Sequence, residues 1–368
     1  MRPAEGANNM ELPPCDQEIT EEEFADFYTP KLILFLSADL VGSTALKQKK
    51  RKRNLKEGIY IPDTKDWAEA IQLFYSRLTS VFYQTWNNNC NGNSEDAKTR
   101  LFGSEPILWK TIGDELIFRK HISRQDQVFK TIHCFIEAVR ETTKTLREKM
   151  GNEHLEIKCT GWIAEFPIQN KVLLGGQFTD IENFDPEMKG NLLRSLNGYE
   201  KRAVGSGLEI DFVGPAIDIG FRLAKISTSR KFAISIDTAY LYLGFSNYSA
   251  SDEADIFPIR FERSVRLEGV MGGVPYPIFW IDMGEEGSTD RLEDELLSHG
   301  KSFKTTDARD ALKFCEAFYA ERRNYVDRPF IYEEFSFLEK NKRKNPPTWH
   351  REFIERSREN YKFQKTML

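Results

Sequence analysis

Leu32–Leu46 reads LILFLSADLVGSTAL. A short, continuous apolar run ends at Asp39 and is followed at once by the turn signature Gly42-Ser43-Thr44, so the pattern predicts a buried strand over Lys31 to Ala38. A strand that ends on an aspartate delivers a carboxylate to a place where a metal can be held. The turn that follows offers backbone N–H groups suited to phosphate. Taken singly, Asp39 also reads as an ordinary strand-end carboxylate that caps the next helix.

Two further stretches carry similar chemistry. WKTIGDELIF (Trp109–Phe118) alternates as a hairpin does and places Asp114 in its Gly-Asp tip, although an aspartate is also common in any such turn. DFVGPAIDIGFRLAK (Asp211–Lys225) predicts a helix from Gly214 to Ile226. Asp218 and Arg222 stand four apart on one face of that helix, a spacing that also suits a plain surface ion pair.

Between these stretches the chain alternates in character. KQKKRKRNLK, with its basic run Lys47 to Arg53, reads as a solvated loop that could also attract a triphosphate. DWAEAIQLFYSRLTSVFYQTW has apolar residues at 67, 70, 71, 74, 78, 81 and 82, one helical face. NNNCNGNSEDAKTR predicts a polar loop, and residues 126 to 149 a second amphipathic helix before the strand LEIKCTGWIAEF. From Val172 to Leu208, six glycines predict turns and loop. The strand KFAISI, the short helix DTAYLYL and the strands RFERSVRLEG and PYPIFWIDM close a domain near Met283. Residues 1–29 predict a loosely ordered arm, and 284–368 a helical extension suited to oligomerisation.

Composition bounds the partners. The 368 residues are 40% hydrophobic and 30% charged with a formal charge of −5, values of a soluble globular protein with no reason to seek nucleic acid. Five cysteines without C-x-x-C spacing argue against a disulfide framework or a zinc site. No apolar run approaches the ~18 residues that cross a bilayer, and the amino terminus lacks the basic-then-apolar order of a signal peptide. A cytoplasmic protein without direct membrane insertion is expected. His121, His133 and His154 lack ligand spacing, and LLGGQ is too short for a phosphate loop.

Taken together and in order, the three motif-bearing stretches resemble the class III nucleotidyl cyclases, whose blocks run strand-D-x-x-G-[FS]-[ST], [KE]-T-I-G-D and D-x-x-G-x-x-[VI]-N-x-x-x-R. The resemblance spans about residues 31 to 283. It implies an α+β, ferredoxin-like domain with an antiparallel sheet and flanking helices. It implies metal-holding positions at Asp39, Leu40 and Asp114 for two Mg²⁺ or Mn²⁺ ions per site. It further implies phosphate contacts at Gly42, Ser43, Thr44 and Arg266, base reading by Lys110 and Asp211, and catalysis by Asp218 and Arg222. The reaction implied is nucleoside triphosphate to 3′,5′-cyclic nucleotide plus pyrophosphate, in a homodimer with sites at the interface.

Two positions depart from the pattern. Asp218 stands where the family has Asn, so it can accept from a ribose hydroxyl but cannot donate as an amide does. Glu268 stands where many members carry a lysine for the triphosphate, with Arg266, Lys225 and Arg230 as candidate replacements. A lysine beside a carboxylate pairs equally with adenine, cytosine or uracil edges, so ring size must choose among them. A lone cyclase with extra elements and no recognised sensory domain resembles, in layout, the bacterial Pycsar pyrimidine cyclases. That layout implies UTP to cyclic UMP in anti-phage signalling through a separate effector. Cyclic AMP synthesis and a degenerate nucleotide sensor are the alternatives.

Overall fold

The structure is a computed structural model that describes residues 29–43, 67–175, 209–248, 257–284, 289, 292, 296, 306–331 and 346–367. The expected amino-terminal arm up to residue 28, the basic run, Thr44 and residues 176–208 lie outside the described residues. The chain divides into two compact units, one of residues 32–164 and 215–345, the other of 1–31, 165–214 and 346–368.

In the larger unit the opening stretch forms strand β1 (Lys31–Val41). Helices α1 (Trp67–Asn91) and α2 (Glu95–Leu101) lead to the hairpin β2 (Ile107–Ile112) and β3 (Glu115–Ile122). Helix α3 (Gln125–Met150) and strand β4 (Glu156–Phe166) follow. The segment expected to be all polar loop contains α2, because Ser94 caps it by accepting from the Ala97 N–H and Glu95 and Asp96 favour its first turn.

The smaller unit carries a two-stranded antiparallel ribbon of β5 (Lys171–Gly175) and β6 (Glu209–Val213). Back in the larger unit come helix α4 (Pro215–Leu223), β7 (Lys231–Ile234), helix α5 (Ile236–Tyr248), β8 (Ile259–Val265), β9 (Tyr276–Asp282) and helix α6 (Ala308–Glu321). Helix α7 (Thr348–Met367) belongs to the smaller unit, where His350 meets Glu165 at 2.6 Å.

The main sheet runs β2-β3-β1-β4-β7-β9-β8. It is mixed rather than purely antiparallel, since β4 and β7 pair parallel through Thr160 and Ala233. A parallel pair needs a long crossover, and the chain between these two strands includes α4. Leu32, Leu34, Leu36, Ala38 and Leu40 join the core that α1 and α3 share, where Phe82 meets Phe118 at 5.1 Å and Phe135 at 5.2 Å. Ile33, Phe35, Ser37 and Asp39 alternate onto the other face. There Phe35 is buried and stacks on Trp162 at 5.4 Å. Burial on both faces accounts for the unbroken apolar reading of β1.

Candidate active site

The two aspartates singled out by their positions meet at one end of the sheet. Strand β1 pairs antiparallel with β3 so that Asp39 stands opposite Glu115, and the Leu40 N–H donates to the Asp114 carbonyl at 3.1 Å. The hairpin closes on the Ile112–Glu115 pair with only Gly113 and Asp114 between. Gly113 has φ +65°, the positive value that the first loop position of a type II′ turn demands. Tyr75 on α1 donates to the Gly113 carbonyl, which ties the turn to the helix.

The carboxylates are individually tethered. Ser43, buried at the end of the β1 turn, donates its hydroxyl to Asp114 Oδ2. Gly42 before it adopts φ +85°, and Val41 closes the strand. Asp39 Oδ2 pairs with Lys158 Nζ of β4 at 2.8 Å. Ser37 donates to Glu115 Oε1. Burial pushes the Glu115 carboxyl above its ordinary range, and the negative charges of Asp39 and Asp114 push it the same way. Three acidic side chains thus share one field.

Among the described residues no three His, Cys, Asp or Glu side chains converge as a ready-made cage. The donor set nevertheless fits a divalent ion. Two hard oxygen donors stand at the ends of paired strands, beside a third carboxyl that feels both, and an ammonium already answers one of them. A hard cation held by one or two carboxylates takes its remaining oxygens from water and phosphate.

Helix α4 brings a second set of groups. Gly220 lies against Trp162 so closely that a Cβ there would meet the indole at 2.2 Å. Arg222 does not pair with Asp218. Its Nε donates to the Glu268 carbonyl at 3.0 Å, while Asp218 stays exposed in the first turn. Position 268 therefore acts through its backbone, and Arg266 beside it is exposed.

Lys110 follows a β-bulge, since Leu108 faces Phe118 and Lys110 faces Ile117 with Trp109 as the extra residue. Its ammonium stands 4.1 Å from the Trp109 ring centroid. Asp211 lies on β6 in the smaller unit, opposite Leu173, and accepts from the Phe212 N–H at 2.9 Å. Asp39, Leu40, Gly42, Ser43 and Asp114 are thus brought together, and Arg222 is anchored to the Glu268 turn.

Reading the motifs alone misses Lys158, Glu115, Ser37 and the Glu268 carbonyl. Lys158 has a visible signal: it is the one basic residue inside the strand LEIKCTGWIAEF, where alternation predicts a side chain on one sheet face.

No protein-family model matches the chain, and no curated protein matches it. The chain is similar to several solved structures of nucleotide cyclases. The guanylyl cyclase Cya2 shares 15% identity at a TM-score of 0.41, over 70% of this chain and 96% of that one. The adenylyl cyclase CyaB from P. aeruginosa shares 12% at 0.43, over 70% and 97%. The guanylate cyclase domain of RhGC from Catenaria anguillulae, in complex with GTP, shares 11% at 0.39, over 68% and 96%. At such identities and scores the likeness does not extend to activity or substrate.

Proposed function

We propose that this protein is a nucleotidyl cyclase that converts a nucleoside triphosphate to a 3′,5′-cyclic nucleotide and pyrophosphate. The observation that carries the reading is the meeting of Asp39 and Asp114 at the ends of paired strands, joined by the Leu40 N–H to Asp114 carbonyl bond. Asp39, the Leu40 carbonyl and Asp114 would hold Mg²⁺ or Mn²⁺. When bound, such an ion lowers the pKa of an attacking hydroxyl and neutralises a leaving phosphate oxygen.

The chain's own groups supply the rest. Ser43 holds Asp114 in place, and the Gly42 turn offers its backbone to phosphate. Arg222, steadied by the Glu268 carbonyl, presents a guanidinium to charge developing on the phosphate, with Arg266 as a further cation. Asp218 accepts a ribose hydroxyl. In the family resembled, the positions of Lys110 and Asp211 are the ones that read the base edge. In the family resembled, metal-holding and base-reading residues of one site come from different protomers, so a homodimer of this chain would complete two sites.

The base we assign is uracil, giving cyclic UMP as a signal to a separate effector in bacterial anti-phage defence. The support is layout, extra elements around a cyclase core, and ATP is the alternative because Lys110 and Asp211 also suit adenine. Among the described residues no helix is long and apolar enough to cross a membrane.

The test is incubation of the purified protein with ATP, GTP, CTP or UTP and Mn²⁺, with products resolved by mass spectrometry. Cyclic UMP is expected. Asp39→Ala and Asp114→Ala should each lower turnover roughly 100-fold or more, and full turnover in both would refute the site. A second reading, a nucleotide-binding sensor without turnover, is favoured by Asp218 and by the Lys158 ion pair on Asp39. Binding of a triphosphate without any cyclic product would establish it.

A further inference from the structure

Lys158 pairs with Asp39, a candidate metal-holding carboxylate. Strand β4 neighbours β1 in the sheet and directs Lys158 onto the face that carries Asp39. The Nζ to Oδ2 separation is 2.8 Å, with both side chains about one-third exposed (30% and 28%). Neither side chain has another ion-pair partner among the described residues. The ammonium thus sits on an oxygen that a divalent ion would use.

We propose that Lys158 is the resident counter-cation of this site, and that a divalent ion engages Asp39 only by displacing the Lys158 ammonium. The lysine then sets the metal concentration at which the site fills. The inference rests on Asp39 as a metal-holding residue but not on cyclisation.

The physical reason is competition for one charge. Asp39, Asp114 and Glu115 repel one another, which a nearby ammonium relieves. A dication satisfies the same carboxylates more strongly, yet it cannot share an oxygen closely with an ammonium because the two cations repel. Partial exposure gives the long lysine side chain water to move into once displaced. The Lys158 ammonium therefore offsets part of the negative charge of the site, and metal binding exchanges one cation for another.

The experiment is a Mn²⁺ titration of the full-length, nucleotide-free protein, following free Mn²⁺ by electron paramagnetic resonance and the unfolding midpoint in parallel. Lys158→Gln should lower the half-saturating Mn²⁺ concentration roughly tenfold and enlarge the Mn²⁺-induced rise of the midpoint. Lys158→Arg, which keeps the charge, should stay near the wild-type value. Adding Asp39→Asn to Lys158→Gln should remove the gain.

Wild-type Mn²⁺ affinity in Lys158→Gln, with binding still lost in Asp39→Asn, would overturn the role of Lys158 alone. Binding absent from Lys158→Gln, or indifferent to Asp39→Asn, would overturn the metal assignment of Asp39 and this inference with it. Cyclic-nucleotide production is not needed for any of these outcomes, so a failure of the proposed activity is read separately.

Discussion

Single residues set the electrostatics of the domain. His133 on α3 is packed between Phe129 at 4.1 Å and Phe257 at 4.7 Å, with Tyr242 Oη at 3.2 Å from its Nε2. Burial holds its pKa down to about 4, helped by the nearby charges of Lys130 and Arg140. Between pH 6.5 and 4 the unfolded chain then binds more protons than the folded one. His133 therefore contributes stability fully above pH 6.5 and loses it as pH falls toward 4. Wild-type protein should lose about 2 kcal/mol more than His133→Phe between pH 7 and 4.5, measured by urea unfolding. The aromatic packing around His133 was not legible in sequence, because Tyr242 and Phe257 stand far along the chain. Asp39 and Asp114 were legible, since each sits beside its own turn signature.

At the scale of elements, close approach decides what the sequence pattern leaves open. Helix α4 can lie on β4 only because position 220 has no side chain, and Trp162 is itself clasped by Phe35 below and by Phe221 at 5.8 Å. Gly220→Ala should lower the unfolding free energy by about 1–3 kcal/mol, seen in urea titration, through overpacking against the indole. It should also reduce turnover by shifting Arg222, which the same helix carries. Gly113→Ala meets no atom within 4 Å, so its cost is backbone strain alone, about 1 kcal/mol. Its effect on turnover should exceed that on stability, because the turn aims Asp114. The helix over residues 215–223 and the hairpin were legible from Gly, Pro and alternation. Helix α2 was not, since its polar sequence lacks apolar periodicity and its cap, Ser94, stands among asparagines common in loops.

At the scale of the whole molecule, the proposed homodimer would draw each site from two chains. Mixing Asp39→Ala with Arg222→Ala protein should restore about a quarter of wild-type turnover, because half the dimers formed at random carry one intact site of two. Recovery would be absent if every site lay within one chain. The order of motifs and the apolar strand–helix rhythm followed from local chemistry: turn residues, side-chain period and charge act over a few positions. The sequence by itself therefore determined the strand that carries Asp39, the Gly-Asp hairpin and the helix of Arg222. Only the tertiary structure decided that Arg222 bonds the Glu268 carbonyl instead of Asp218, that β4 and β7 run parallel, and that Lys158 lies on Asp39. Those are pairings between strands and turns distant along the chain. Their register is chosen by burial over the whole sheet, and no local pattern of residues encodes it.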